Sequence, residues 1–304
     1  MATLFHRERG MKAELSWGGR WKGDGIHPTR LVVVILILTS MFCAAACDSP
    51  AFASSCRQIG LCEEDPKPAE LLDLLCDHSV GSSCTTKTLE QTTDRVVQHI
   101  SERPGSRMRV WMLGATVEKT VVVVEHAIPA AKGGSAKSQR AQAARVAATA
   151  REVLLTGIAP AFESPPVRRS PIAEAIAKVA LADASGLYRR VIVITDAREV
   201  STLGDFECRA LPTNAQFAAL LQRMNVLSTG QLAGIDILFA HVAGQSVPGR
   251  GCPVSVDREL RIKALWTTAL RAAGASRVHI SSGPPELLVD ANDGPLNHPN
   301  GAAR

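Results

Sequence analysis

The chain has 304 residues, 34 Lys and Arg against 29 Asp and Glu, and a formal net charge of +5. Six of the basic and three of the acidic residues fall within the first 30, leaving 28 against 26, a balance of +2 that is no nucleic-acid footprint. Aromatic residues make up only 4% of the chain, too few for the stacking platforms that hold single strands.

The charged opening is followed by Leu31–Ala46, sixteen residues without a charge. That run is shorter than the roughly 18 apolar residues expected of a membrane-spanning helix, and its basic flank suits an export signal. It ends in Ala44-Ala45-Ala46-Cys47, which resembles a bacterial lipobox, so residues 1–47 are expected to be a signal peptide with Cys47 as the lipidated residue. The chain is then expected to be exported to the bacterial cell envelope and tied to a membrane by that lipid. In an oxidising compartment the remaining cysteines, Cys56, Cys62, Cys76, Cys84, Cys208 and Cys252, are disulfide candidates. Cys208 with Cys252 is the favoured pair, the other four pairing among themselves.

Residues 48–69, poor in apolar groups, read as a tether. Glu70–Asp77 has helix-favouring leucines, yet its brevity and abrupt stop predict a buried strand. A helix is predicted over 88–102, strands over 107–113 and 120–128, and an Ala-rich helix over 135–158 closed by Gly157 and Pro160. Ser170 reads as an N-cap with Pro171 at the first helical position, starting a helix that runs to about residue 184. Arg168-Arg169, just before it, reads as a solvated loop. The strand at 191–195 ends in Asp196. A helix over 214–227, a strand over 235–241, a helix over 257–273 and a strand over 277–281 complete the pattern, and residues 283–304 read as a loose tail.

Strands alternating with helices imply an α/β fold, doubly wound, with a mostly parallel central sheet covered by helices on both faces, a three-layer sandwich. In such sheets ligands bind in the crevice beyond the strand carboxyl ends, which is where Asp77 and Asp196 fall.

The order of Asp77-His-Ser79, Arg109-Val-Trp-Met-Leu-Gly114, Ser170-Pro-Ile-Ala-Glu-Ala-Ile176 and Val191-Ile-Val-Ile-Thr-Asp196 resembles the von Willebrand factor type A domain over residues 70–282. It is similar in particular to a divergent bacterial lipoprotein branch. The resemblance implies that the first and fourth strands are central neighbours and that Asp77, Ser79, Ser170 and Asp196 form a metal-ion-dependent adhesion site. Mg2+ or Mn2+ would there be shared with a protein partner in the envelope. Such hard cations want about six oxygens. Gly81 stands where the family has a second Ser, and Ala197 where a Gly is usual, so the resemblance implies a degenerate site.

Enzyme readings are weaker. There is no Gly-x-Ser-x-Gly elbow and no Gly-x-Gly-x-x-Gly turn. The chain is therefore read as a binding module and not an enzyme. The alternatives are a metal-free scaffold lipoprotein and a periplasmic hydrolase that uses the two carboxylates around a metal. His78, His126, His241 and His279 lack zinc-site spacing.

Overall fold

The computed structural model describes residues 67–130, 136–182, 186–242, 255–285 and 287. All the described residues belong to one compact unit. The expected signal peptide with Cys47, tether residues 48–66, Cys56, Cys62, Cys252 and nearly all of the tail lie outside the described residues.

The elements are β1 (Glu70–Asp77), α1 (Thr86–Ser101), β2 (Arg107–Leu113), β3 (Val121–Ala127), α2 (Ala136–Phe162), α3 (Ile172–Leu181), β4 (Tyr188–Ile194), β5 (Val200–Ser201), β6 (Gly204–Asp205), α4 (Asn214–Arg223), β7 (Ile235–Ala240), α5 (Val256–Ala272) and β8 (Arg277–Ile280). Six strands form one sheet in the order β3-β2-β1-β4-β7-β8, and β5 with β6 makes a small separate ribbon. All neighbours in the large sheet are parallel except β3, which runs antiparallel to β2 at the edge. The fold is thus the expected three-layer α/β sandwich, with one strand reversed.

Period-two alternation sorts the strand residues between two cores. On one face Leu72, Leu74, Cys76, Met108, Val110, Ile192 and Ile194 pack with Leu89, Val96 and Ile100 of α1 and Ala150, Leu154 and Ile158 of α2. On the other Leu75, Trp111, Val191, Val193, Ile237 and Phe239 pack with Ile176 and Val179 of α3, Phe217 of α4 and Trp266 of α5. All four β1 leucines are fully buried, each contributing about 2 kcal/mol. That two-sided burial is why a leucine-rich octamer folds as a strand here in place of a helix.

Several predicted helix ends shift, two of them by four residues. α2 runs past Gly157 and carries Pro160 in its last turn, where the loss is confined to the single i−4 bond its N–H would have made. α4 stops at Arg223 because Asn225 takes a left-handed conformation (φ 53°) that closes the helix.

The chain leaves the centre in two directions, through β2 and β3 on one side and through β4, β7 and β8 on the other. The β1/β4 pair is therefore the topological switch point, and the crevice beyond its carboxyl ends is the default ligand site of an open α/β sheet.

Candidate functional site

Asp77 closes β1 and is fully buried. The β1/β4 register pairs Cys76 with Ile194, so the next pair along is Asp77 with Thr195, on the same face of the sheet as Leu75 and Val193. The contacts follow that parity. Asp77 Oδ2 accepts from the hydroxyls of Thr195 at 2.7 Å and Ser170 at 2.8 Å, and Oδ1 accepts from the Ser79 N–H at 3.1 Å. Three donors from three separate segments converge on one carboxylate. Thr195 is not among the expected site residues, although the strand alternation places it beside Asp77.

Ser170 does not cap α3. Its hydroxyl is committed to Asp77, Pro171 occupies the N-cap position, and no side chain caps there. The start of α3 is instead met from across the chain, where Glu199 Oε2 accepts from the Ala173 N–H at 3.0 Å. The backbone before α3 is held at both ends. Val167 pairs with Ser79, Ser170 pairs with Val200, and Arg168 and Arg169 lie exposed between them.

Ser79 is 8% exposed and begins a tight turn in which the Ser82 N–H donates to its carbonyl at 3.0 Å. Gly81 sits third in this turn at φ 82°, a conformation that favours glycine. A serine there would be strained, which accounts physically for the missing hydroxyl. The same loop is closed by a disulfide between Cys76 and Cys84. The pair falls within the group of four expected to bridge among themselves. Cys208 is disulfide-bonded as well.

Asp196 follows a different course. Its Oδ1 accepts from the Arg198 N–H at 3.0 Å, and its Oδ2 lies 3.6 Å from Arg198 Nε. Between them Ala197 adopts φ 62°, pinned by the Trp266 indole N–H on its carbonyl at 2.8 Å. The expected quartet is thus gathered at one end of the sheet, but hydroxyls face Asp77 whereas a guanidinium faces Asp196.

Glu199 adds a fully buried carboxyl group that no local sequence pattern marks. Burial pushes its pKa up to about 8, the charges of Glu174 and Asp77 push the same way, and hydrogen bonds from Ser201 and the Ala173 N–H oppose them. At neutral pH it is mostly protonated. The amino ends of the strands are more densely charged. Asp73 accepts from Arg109 at 2.6 and 2.9 Å, from the Trp111 indole at 2.8 Å and from Arg189 at 3.1 Å. Glu70 lies 2.7 Å from His99 and 3.7 Å from both Arg103 and Arg190. These buried pairs balance one another and serve the fold.

Among the described residues no three His, Cys, Asp or Glu side chains are grouped so as to hold a metal ion. His78 meets the Ser164 carbonyl at 3.0 Å and His241 the Thr92 hydroxyl at 3.1 Å, both in ordinary structural contacts. No helix among the described residues is long and apolar enough to cross a membrane.

No protein-family model matches the chain, and no curated protein does. Among solved structures it is similar to proximal thread matrix protein 1 from the mussel byssus, at 10% identity and a TM-score of 0.35, over 72% of this chain and 43% of that one. A second crystal form of that protein gives 12% identity and 0.32 over 73% and 46%. Manganese-loaded TRAP protein of Plasmodium vivax gives 15% identity and 0.30 over 61% of each chain. This chain therefore spans less than half of the mussel protein and under two thirds of the Plasmodium one. Likenesses this loose carry no argument about the site.

Proposed function

We propose that the chain is an exported, lipid-anchored binding module of the von Willebrand factor type A kind, which engages a protein partner in the cell envelope at the crevice beyond β1 and β4. The observation that carries this reading is the convergence of Ser79, Ser170 and Thr195 on buried Asp77 at the switch point. Such a preorganised polar cluster at a switch point suits recognition of a ligand's polar groups.

The donors do not fit a dedicated divalent-cation site. Hard cations want several free oxygens, and carboxylates above all. Here both oxygens of Asp77 already accept protein hydrogen bonds, Gly81 offers no hydroxyl, and the carboxylate of Asp196 lies against a guanidinium. The module is accordingly read as working without Mg2+ or Mn2+, the degenerate form of the adhesion site.

Two measurements test the reading. Calorimetric titration of Mg2+ and then Mn2+ into the full chain in mild detergent is expected to show no binding that Asp77→Ala removes. Asp77-dependent binding would overturn the ion-free form and restore an ion-bridged one. A photocrosslinker at Val80 is expected to capture a protein partner from the envelope, with the yield unchanged by a chelator. No capture there, with capture from a crosslinker on α2, would overturn the crevice as the docking surface.

A further inference from the structure

Arg198 is 7% exposed, yet its guanidinium is poorly matched. A guanidinium offers five N–H donors. Nε lies 3.6 Å from Asp196 Oδ2, beyond hydrogen-bond distance, and Nη2 is buried without a partner. Leaving a charged donor buried and unpaired is costly, so an orphan of this kind calls for an explanation.

The surroundings accumulate charge of the same sign. Arg258 is held by the carbonyls of Phe206 at 2.8 Å and Arg209 at 2.7 Å. Burial lowers its pKa, and the nearby charges of Arg198 and Arg261 lower it further, with only Asp205 opposing. Arg168 and Arg169 are exposed, flank the Ser170–Val200 bridge, and form no ion pair among the described residues. Of the carboxyl groups at this end of the sheet, Asp77 is engaged by three neutral donors and makes no ion pair among the described residues. Glu199 carries little charge at neutral pH. Asp196 is the carboxylate turned toward Arg198, but at 3.6 Å from Nε it makes no hydrogen bond there and leaves Nη2 unmatched.

We infer that the crevice takes an acidic segment of its protein partner, with one partner carboxylate seated on Arg198 and flanking acidic residues steered by Arg168 and Arg169. Guanidinium and carboxylate meet in a matched fork, so Arg198 would supply directly the positive charge that a bridging cation would otherwise provide. The exposed pair at the rim would act mainly on association rate. This inference rests on the crevice being the docking surface.

The probe is an acetyl-capped hexaglutamate peptide, titrated into the full chain in the presence of a chelator and followed by calorimetry and by the Arg198 Nε–Hε resonance. Binding is expected to weaken about tenfold in Arg198→Gln, and in Arg198→Lys, which keeps the charge but not the fork. Arg168→Gln/Arg169→Gln is expected to slow association, with an effect that fades at high salt. An unmoved Arg198 resonance in the unaltered protein would overturn the inference without relying on any variant that fails to fold. So would peptide binding that Arg198→Gln leaves unchanged, or Arg198-dependent binding of inorganic phosphate that displaces the peptide. Should the peptide fail while crosslinking at Val80 still captures a partner, the acidic segment falls and the crevice stands. Should both fail, the docking surface falls with it.

Discussion

Asp73 shows what a single buried carboxylate holds together. It is fully buried and compensates Arg109 and Arg189, which are themselves buried. Asp73→Ala would strand two guanidinium groups in the interior and is expected to cost about 3 to 5 kcal/mol in a urea titration. The contrast is Arg209, whose side chain is 83% exposed and 3.8 Å from Asp205. Pairs that wet contribute about 0 to 1 kcal/mol, so Arg209→Ala should leave the midpoint almost unmoved. Glu199 gives the pH dependence its sign. Its folded pKa of about 8 stands above the ordinary 4.5, so across that window the folded chain keeps a proton that the unfolded chain releases. Its contribution to stability is therefore greatest below the lower value, declines by ~1 kcal/mol per pH unit as pH rises, and is fully lost above the upper one. Glu199→Gln, which keeps an acceptor for the Ala173 N–H, is expected to flatten that decline when urea midpoints are compared across the window.

At the scale of elements, α2 and the edge strand β3 meet closely at one point. A Cβ added at Gly157 would lie 2.8 Å from Val124 Cγ2. In an open helix Gly→Ala stabilises by about 1 kcal/mol. Here Gly157→Ala is expected to destabilise by about that much, because Val124 must be pushed off the sheet. In a Val124→Ala background the same replacement should become stabilising, which thermal melts of the four variants would show. The strands were legible because Val, Ile and Leu runs buried on both faces have little else they can be. The site was legible in part. Asp77 and the β1/β4 adjacency followed from the pattern, and Thr195 was available by counting two residues on from Val193. Ser170 was misassigned for a physical reason. The run Ser-Pro-x-x-Glu is a local capping signal, but a buried carboxylate supplied by β1, 93 residues away, outcompetes the local backbone for the hydroxyl. No local pattern marked Arg198 or Glu199, since their burial comes from the ribbon and helices that fold over them. The reversal of β3 was equally hidden, because an edge strand reads the same in either direction.

Over the whole molecule, the Cys76–Cys84 bridge joins the end of β1 to the start of α1 and encloses the loop that carries Asp77, Ser79 and Gly81. Replacing both cysteines by alanine is expected to lower stability by about 2 to 3 kcal/mol, as measured by denaturant midpoint. The same variant should also show faster amide exchange through residues 77–83, since the loop is then restrained by hydrogen bonds alone. Such a change in exchange would tie the bridge to the shape of the crevice as well as to global stability.

The sheet order carries a consequence for biosynthesis. β1 sits between β2, which follows it closely, and β4, whose Thr195 lies 118 residues beyond Asp77. During synthesis β1 can acquire one neighbour early but must wait for more than a third of the polypeptide before the other arrives. Until then one backbone edge of a strand carrying four leucines stands unpaired, an invitation to mispairing. The pocket around Asp77 thus cannot close until β4 has emerged and paired with β1.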